Sequence, residues 1–165
     1  MFDGKRVVAL IFDRSYMIYD LTIPMNIIYD ALFYNKNNNN IFVFGGIPRL
    51  CYHVTHYAEA LKISKERLIH IEIPDSTSRL ITAENMQSWF MQVLKYMPDI
   101  LIVLRDNTGT QETNRLVDWA IRNHITVSEY DNRGGCNNLS LNSLTDPKVN
   151  NLNAIDPSLK GRKYR

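Results

Sequence analysis

The sequence predicts an α/β protein: a Rossmann-like three-layer sandwich with a mainly parallel five-stranded sheet and an extended C-terminal arm. Short apolar runs rich in Val and Ile indicate buried strands. Longer segments between them carry apolar residues at helical spacing, and polar stretches with Gly, Pro, Asn and Asp separate the two. Because strands that alternate with helices form βαβ units, the sheet should be parallel, with helices on both faces.

Five apolar runs are the predicted strands. The run ILIVL is the most apolar of them, so it should lie near the centre of the sheet. The strands are expected at residues 5–12, 41–44, 68–73, 100–104 and 125–130.

Four helices are predicted between these strands. Pro24 suits the first turn of the first helix, and Thr82 should cap the third helix, which Pro98 terminates. The helices are expected within residues 20–34, 50–61, 83–97 and 111–123.

One domain is expected over residues 1–130, since the alternating pattern stops at Asp131. Residues 131–165 are rich in Asn, Ser, Gly and Pro, which favours an extended or partly disordered C-terminal arm. The arm carries too many apolar residues for a pure linker: Leu139, Leu141, Leu144, Val149, Leu152 and Ile155.

Composition argues against several classes of protein. The formal charge is +2, from 19 basic and 17 acidic residues, so neither nucleic acid nor a membrane surface is an expected partner. No apolar run approaches the roughly 20 residues of a membrane helix, and the start MFDGKR does not resemble a signal peptide. Two distant cysteines suit reduced thiols in a cytoplasmic protein. Abundant Asn, Lys, Ile and Tyr indicate an AT-rich genome, such as that of a phage, whose product would work in the host cytoplasm.

Four polar loops follow predicted strands, where open parallel sheets bind their ligands. They span residues 13–15, 45–49, 74–79 and 105–110, and most contain an arginine. This clustering predicts a binding site at the carboxyl edge of the sheet. We expect no cofactor and no metal there, because neither a P-loop, a GxGxxG motif nor a zinc-like spacing occurs.

The loop RDNTGT at residues 105–110 contains the clearest candidates. Gly109 permits a backbone conformation closed to other residues, and Thr108 and Thr110 lie beside the amino terminus of the next helix. Such a terminus favours phosphate or another anion. The same residues also suit an ordinary turn and helix cap, so the two interpretations stand about equal for this loop alone.

Gly45-Gly46 after the second strand is another candidate, since two glycines let a ligand approach the backbone closely. Arg49 could grip a phosphate bidentately. A tight strand-to-helix turn explains the glycines equally simply.

Tyr16, Tyr19 and Tyr29 could stack a base, although tyrosines more often pack their rings. His53 and His56, three residues apart, lack the further ligands that a metal needs.

Two segments resemble the SLOG superfamily of Rossmannoid proteins, most nearly its YspA-like (YpsA-related) branch. The first is IFVFGGIPRLCYHVTHYAEALKI, a strand followed by Gly-Gly and a helix. The second is ILIVLRDNTGTQETNRLVDWAIRNHITVSEYD, with an Asp, a Gly-Thr turn, a helix and a final strand. The resemblance spans about residues 5–130 and implies a SLOG-type domain with a nucleotide or nucleotide-derived ligand. Arg14-Ser15 and Asn85 are similar to residues that family members carry.

The chain departs from the family at two places. Residues 47–50 replace a small, Asp-containing stretch, and Thr113 stands where the phosphoribohydrolase branch carries its glutamate. Glu112 is one residue early, about 100° away around a helix. Because hydrolysis of an N-glycosidic bond needs a carboxylate, the resemblance favours a binder over a hydrolase.

Three functions follow as hypotheses. The leading one is a nucleotide-binding sensor or sequestering factor, expected to be a homo-oligomer. The second is a nucleotide or nucleoside N-glycosidase or deoxyribosyltransferase-like enzyme using Glu84, Asp106 or Glu112. The third is an interaction or structural protein on a degenerate Rossmannoid scaffold. The candidate ligand-binding residues are Arg14, Ser15, Gly45, Gly46, Arg49, Asn85, Asp106, Asn107, Thr108, Gly109, Thr110 and Thr113.

Overall fold

The structure is a computed structural model that describes residues 4–16, 22–33, 40–45, 48–73, 81–106 and 109–141. Up to residue 130 its strands and helices alternate along the chain as the sequence predicts, with a short 3-10 turn at Lys65–Arg67. The strands are β1 Val7–Phe12, β2 Ile41–Gly45, β3 Leu68–Ile71, β4 Ile100–Leu104, β5 Thr126–Tyr130 and β6 Cys136–Leu139. The helices are α1 Thr22–Phe33, α2 Pro48–Ala60, α3 Ala83–Leu94 and α4 Gln111–Arg122.

The six strands form one mixed sheet in the order β3-β2-β1-β4-β5-β6. The first five strands are parallel, and β6 pairs antiparallel with β5. The expectation of five strands is therefore wrong by one. The missing strand lies inside the segment that we assigned to the arm, because its sequence CNNL lacks the apolar alternation that marks a strand.

The core lies around β1, β2 and β4, whose side chains are almost entirely buried. This burial explains the continuous apolar runs, since strands covered on both faces do not alternate. Helix α1 contacts α2, and α3 contacts α4. This helix pairing is compatible with a Rossmann-like sandwich. In such a fold the connections that run in one direction along the sheet place their helices on one face, and the connections that run in the other direction place theirs on the opposite face.

Local signals in α3 explain where this helix begins and how it packs. Thr82 accepts a hydrogen bond from the backbone N–H of Asn85 at 3.1 Å, which confirms the predicted cap. The helix ends at Leu94, earlier than Pro98 suggests, and Met97 then adopts a positive φ of 51°. Trp89 is fully buried, and its indole Nε1 donates to the carbonyl of Ile71 at 2.9 Å.

None of the helices described is both long enough and apolar enough to cross a membrane.

Candidate functional site

The candidate site lies where the strand order reverses, at the carboxyl ends of β1 and β4. These strands are neighbours with Phe12 opposite Leu104, although they are far apart in sequence. The backbone N–H of Asp13 donates to the carbonyl of Leu104 at 2.8 Å, so the loops that leave the two strands start side by side. Open α/β sheets bind ligands at such a switch point.

Asp13 is the central residue of this junction and has no exposed surface. Its carboxylate accepts hydrogen bonds from the N–H of Thr110 at 2.8 Å, from the Thr110 hydroxyl at 2.5 Å, and from the N–H and hydroxyl of Ser15. Burial alone raises the pKa of Asp13, but hydrogen bonds from Ser15, Thr110 and Thr113 outweigh burial and hold the pKa below its usual range.

The amino terminus of α4 is therefore already complemented by an anion of the protein itself. Thr110 is the N-cap residue of α4, and both its N–H and its hydroxyl point to Asp13. A carboxylate at this position satisfies part of the partial positive charge that we expected a phosphate to meet. The loop thus has a structural role that does not depend on a ligand.

Arg14 and Glu112 form an ion pair across the same junction. The guanidinium Nε lies 2.5 Å from Glu112 Oε1, with 39% of the Arg14 side chain exposed and 9% of the Glu112 side chain. Glu112 lies in the first turn of α4, and the next residue, Thr113, is buried with its hydroxyl 3.2 Å from that of Thr110. Since Thr113 also forms a side-chain hydrogen bond with Asp13, both consecutive residues contact the β1 loop, despite their angular separation around the helix.

Arg105 forms a second, more buried network at the end of β4. Its Nε and Nη2 donate to one oxygen of Glu129 at 3.0 and 2.7 Å, and Nη1 donates to Asn114 Oδ1 at 2.9 Å. Gly109 has a positive φ of 52°, and a Cβ there would lie 2.5 Å from Asn114 Oδ1 and 2.7 Å from Arg105 Cδ. Both the backbone conformation and the contact with this network favour glycine here.

A turn between β5 and β6, residues 131–135, borders the junction on its other side. The N–H of Asn132 donates to Asp106 Oδ1 at 3.2 Å, and the hydroxyl of Tyr16 donates to the Asp131 carbonyl at 3.2 Å. Burial, followed by the charges of Asp106 and Asp131, raises the pKa of Tyr16 to about 12. Because Tyr16 is buried in this contact, its ring is not exposed for stacking on a base.

Other candidates lie away from the junction. Gly45 is buried in β2, where a Cβ would meet the Ile71 carbonyl at 1.8 Å, so close strand packing explains this glycine. The Asn85 N–H donates to the hydroxyl of Thr82, the residue that caps α3, and Glu84 is exposed in the first turn of that helix. Arg49 belongs to α2, but its side chain lies outside the described part of the chain, as do Gly46, Asn107, Thr108 and Tyr19.

The junction thus unites seven of the sequence-predicted residues: Arg14, Ser15, Asp106, Gly109, Thr110, Glu112 and Thr113. Sequence reasoning did not select Asp13, Arg105 or Glu129. A charged residue directly after an apolar strand was the available signal for Asp13 and Arg105.

Acidic groups outnumber basic ones among the paired side chains of this edge. The four carboxylates of Asp13, Asp106, Glu112 and Glu129 accompany the two guanidiniums of Arg14 and Arg105. No group of three possible metal ligands occurs within the described ranges, and His56 stacks on Tyr52 at 6.0 Å between ring centroids.

Searches of family models, curated proteins and solved structures return no match to this chain. The resemblance to the SLOG superfamily remains an expectation drawn from the sequence.

Proposed function

We propose that the chain binds a nucleotide or nucleotide-derived small molecule at the β1–β4 junction and acts as a sensor or sequestering factor. The observation that carries this proposal is the meeting of the β1 loop, the β4 loop and the first turn of α4 at the point where the strand order reverses. Binding at this position is a general property of open α/β sheets.

The partly exposed groups at the junction suit the parts of a nucleotide. Arg14 contacts Glu112 through Nε, and within the described residues this is its only ion pair, so its terminal nitrogens retain donors for a ligand. Asp106 is partly exposed and uses Oδ1 for the Asn132 N–H, which leaves Oδ2 as an acceptor for a ribose hydroxyl.

Thermal unfolding against a panel of nucleotides, including cyclic nucleotides and ADP-ribose-type compounds, tests this proposal. A ligand at 100 times its Kd stabilises the folded state by about 2.7 kcal/mol. For a chain of this size, this corresponds to a rise in Tm of roughly 5–10 °C. Replacing Arg14 with Gln should reduce the shift, whereas Arg6→Gln, an exposed change before the amino end of β1, should not. A panel in which no compound raises Tm would contradict the proposal.

An N-glycosidase or transferase is the second candidate, favoured by the position of Glu112. Its carboxylate lies against Arg14 of the β1 loop, so the junction contains a carboxylate of the kind that glycosidic cleavage requires. Asp106, on the β4 loop, is a second. Glu84 stands apart, in the first turn of α3.

Incubation with nucleotides and chromatography for the free base tests the enzyme candidate. Release of base should be lost in Glu112→Gln or Asp106→Asn and retained in Glu59→Gln, an exposed change on α2. Because Glu84 stands apart from the junction, Glu84→Gln should release base at the rate of the parent chain. A lower rate of base release would show that the first turn of α3 contributes to the reaction. Ligand binding without release of base by the parent chain would exclude this candidate.

A further inference from the structure

We infer that Arg133, in the turn between β5 and β6, is the residue that binds the anionic group of the ligand. This inference rests on the proposed function, and it names a binding residue in a segment that the sequence prediction placed outside the domain. Three observations carry it: the attachment of the turn to the junction, the internal pairing of the other two arginines, and the exposure of Arg133.

The turn is attached to both loops of the site. Tyr16, just beyond the β1 loop, donates its hydroxyl to the Asp131 carbonyl at 3.2 Å. Asp106, on the β4 loop, accepts the N–H of Asn132 at 3.2 Å. Arg133 directly follows Asn132 in the chain, so its backbone lies one residue from a contact with the site.

The turn also has a defined backbone. The Asp131 carboxylate accepts the N–H groups of Arg133 and Gly135, both at 2.8 Å. The N–H of Asp131 donates to the Gly135 carbonyl at 3.0 Å, and Gly134 supplies a positive φ of 87°. These contacts hold the backbone of Arg133 in place, which lowers the entropic cost of recruiting its side chain to a ligand.

The other arginines at this edge are already engaged by carboxylates of the protein. Arg14 pairs with Glu112, and Arg105, which is buried, pairs with Glu129. Arg133 is exposed, and its guanidinium forms no ion pair with any residue that the structure describes. The charge of Arg133 acts on Asp131 without forming an ion pair with it. A phosphate that binds Arg133 therefore breaks no ion pair, whereas one that binds Arg14 shares that guanidinium with Glu112.

Calorimetric titration of AMP, GMP, CMP and UMP, each beside its own nucleoside, tests this assignment. Loss of one charge-assisted hydrogen bond corresponds to about a tenfold loss of affinity. Arg133→Gln should therefore weaken monophosphate binding about tenfold and leave nucleoside binding unchanged. Arg133→Lys, which keeps the charge, should recover part of the loss, and Arg6→Gln should behave like the parent chain. The melting temperature without ligand should stay constant, because Arg133 is exposed.

The outcomes separate this inference from the proposed function. If Arg133→Gln binds monophosphates as tightly as the parent does, the inference is wrong and the nucleotide site stands. An equal loss for nucleosides and monophosphates would likewise overturn it, because a residue that recognises phosphate leaves nucleoside binding intact. If the parent chain binds neither class and no compound of the thermal-unfolding panel raises its Tm, the proposed function and this inference fail together.

Discussion

Gly45 lies where β2, β3 and α3 meet, and its lack of a side chain permits that contact. Ile71 pairs with Gly45 across the sheet, and the Ile71 carbonyl accepts the indole N–H of Trp89. A Cβ on Gly45 would lie 1.8 Å from that carbonyl oxygen and 2.9 Å from the indole nitrogen. At least one of the three groups would have to move.

We expect Gly45→Ala to destabilise the fold by about 3 kcal/mol, because the clash involves backbone and a fully buried Trp. Gly4→Ala is the matched control: apart from its chain neighbours, no described residue has an atom within 4 Å of the added Cβ, so its positive φ of 69° accounts for the expected cost of about 1 kcal/mol. Urea unfolding measures both. Equal losses at the two positions would show that packing at Gly45 is not tight.

Asp13 is the second residue whose environment leads to a quantitative expectation. Asp13→Asn should cost about 2 kcal/mol at neutral pH, since an amide nitrogen would face the donors of Ser15 or Thr110. Glu59→Gln, at an exposed position, should leave the free energy of unfolding unchanged.

The cost of Asp13→Asn should also depend on pH. Since the pKa of Asp13 is depressed in the folded state, the unfolded chain takes up the proton first as the pH falls. The contribution of this carboxylate is complete above its unfolded pKa of about 3.9 and disappears as the pH drops from there through the folded pKa. Urea unfolding of parent and variant between pH 7 and pH 3 should show their difference shrinking below pH 4. A constant difference would mean that the carboxylate charge is not the stabilising feature.

At the scale of elements, β6 differs most from what the sequence predicts. Its residues are exposed or half-buried, and its sequence CNNL contains no β-branched or aromatic residue. Its pairing follows from the turn after β5, where Asp131 and Gly134 provide hydrogen bonds and backbone freedom. The Asp and Gly residues of the turn can be recognised in the sequence. A polar edge strand such as β6 cannot, because it lacks the alternation of apolar and polar residues that indicates a strand.

We expect β6 to protect the edge of β5. A chain that ends at Leu141 retains β6, whereas a chain that ends at Tyr130 leaves the β5 backbone without its partner. Each lost ladder hydrogen bond costs about 1 kcal/mol, and the open edge invites pairing between copies. Urea unfolding and size-exclusion chromatography should show a less stable, associating protein for the shorter chain alone. Equal stability of the two chains would contradict a structural role for β6.

On the scale of the whole molecule, alternation in the sequence was sufficient for the order of the first nine strands and helices. It could not show which side chains at the carboxyl edge pair with one another. Arg14 and Glu112 were both selected as candidates, but their ion pair depends on β1 and β4 being neighbours. Asp13 likewise follows a predicted strand, but its burial depends on Thr110.

Burial across the sheet implies a gradient of local stability. Strands β1 and β4 lie at the centre with nearly complete burial, and β3 and β6 form the edges with exposed positions. Hydrogen exchange followed by mass spectrometry should show the slowest exchange in peptides from β1 and β4 and faster exchange in β6. Equal protection of β6 and β4 would indicate that something further covers that edge.

The contact between Asp13 and Thr110 spans 97 positions of the chain, which has a consequence for synthesis on the ribosome. Chains are made from the amino terminus at about 5–20 residues per second, so β1 emerges seconds before the loop that completes its carboxyl end. During that interval Asp13 lacks the N–H and hydroxyl of Thr110 and is hydrated instead. The junction can therefore form only after α4 has left the exit tunnel, and a ligand that recognises it would select chains whose folding has reached that stage.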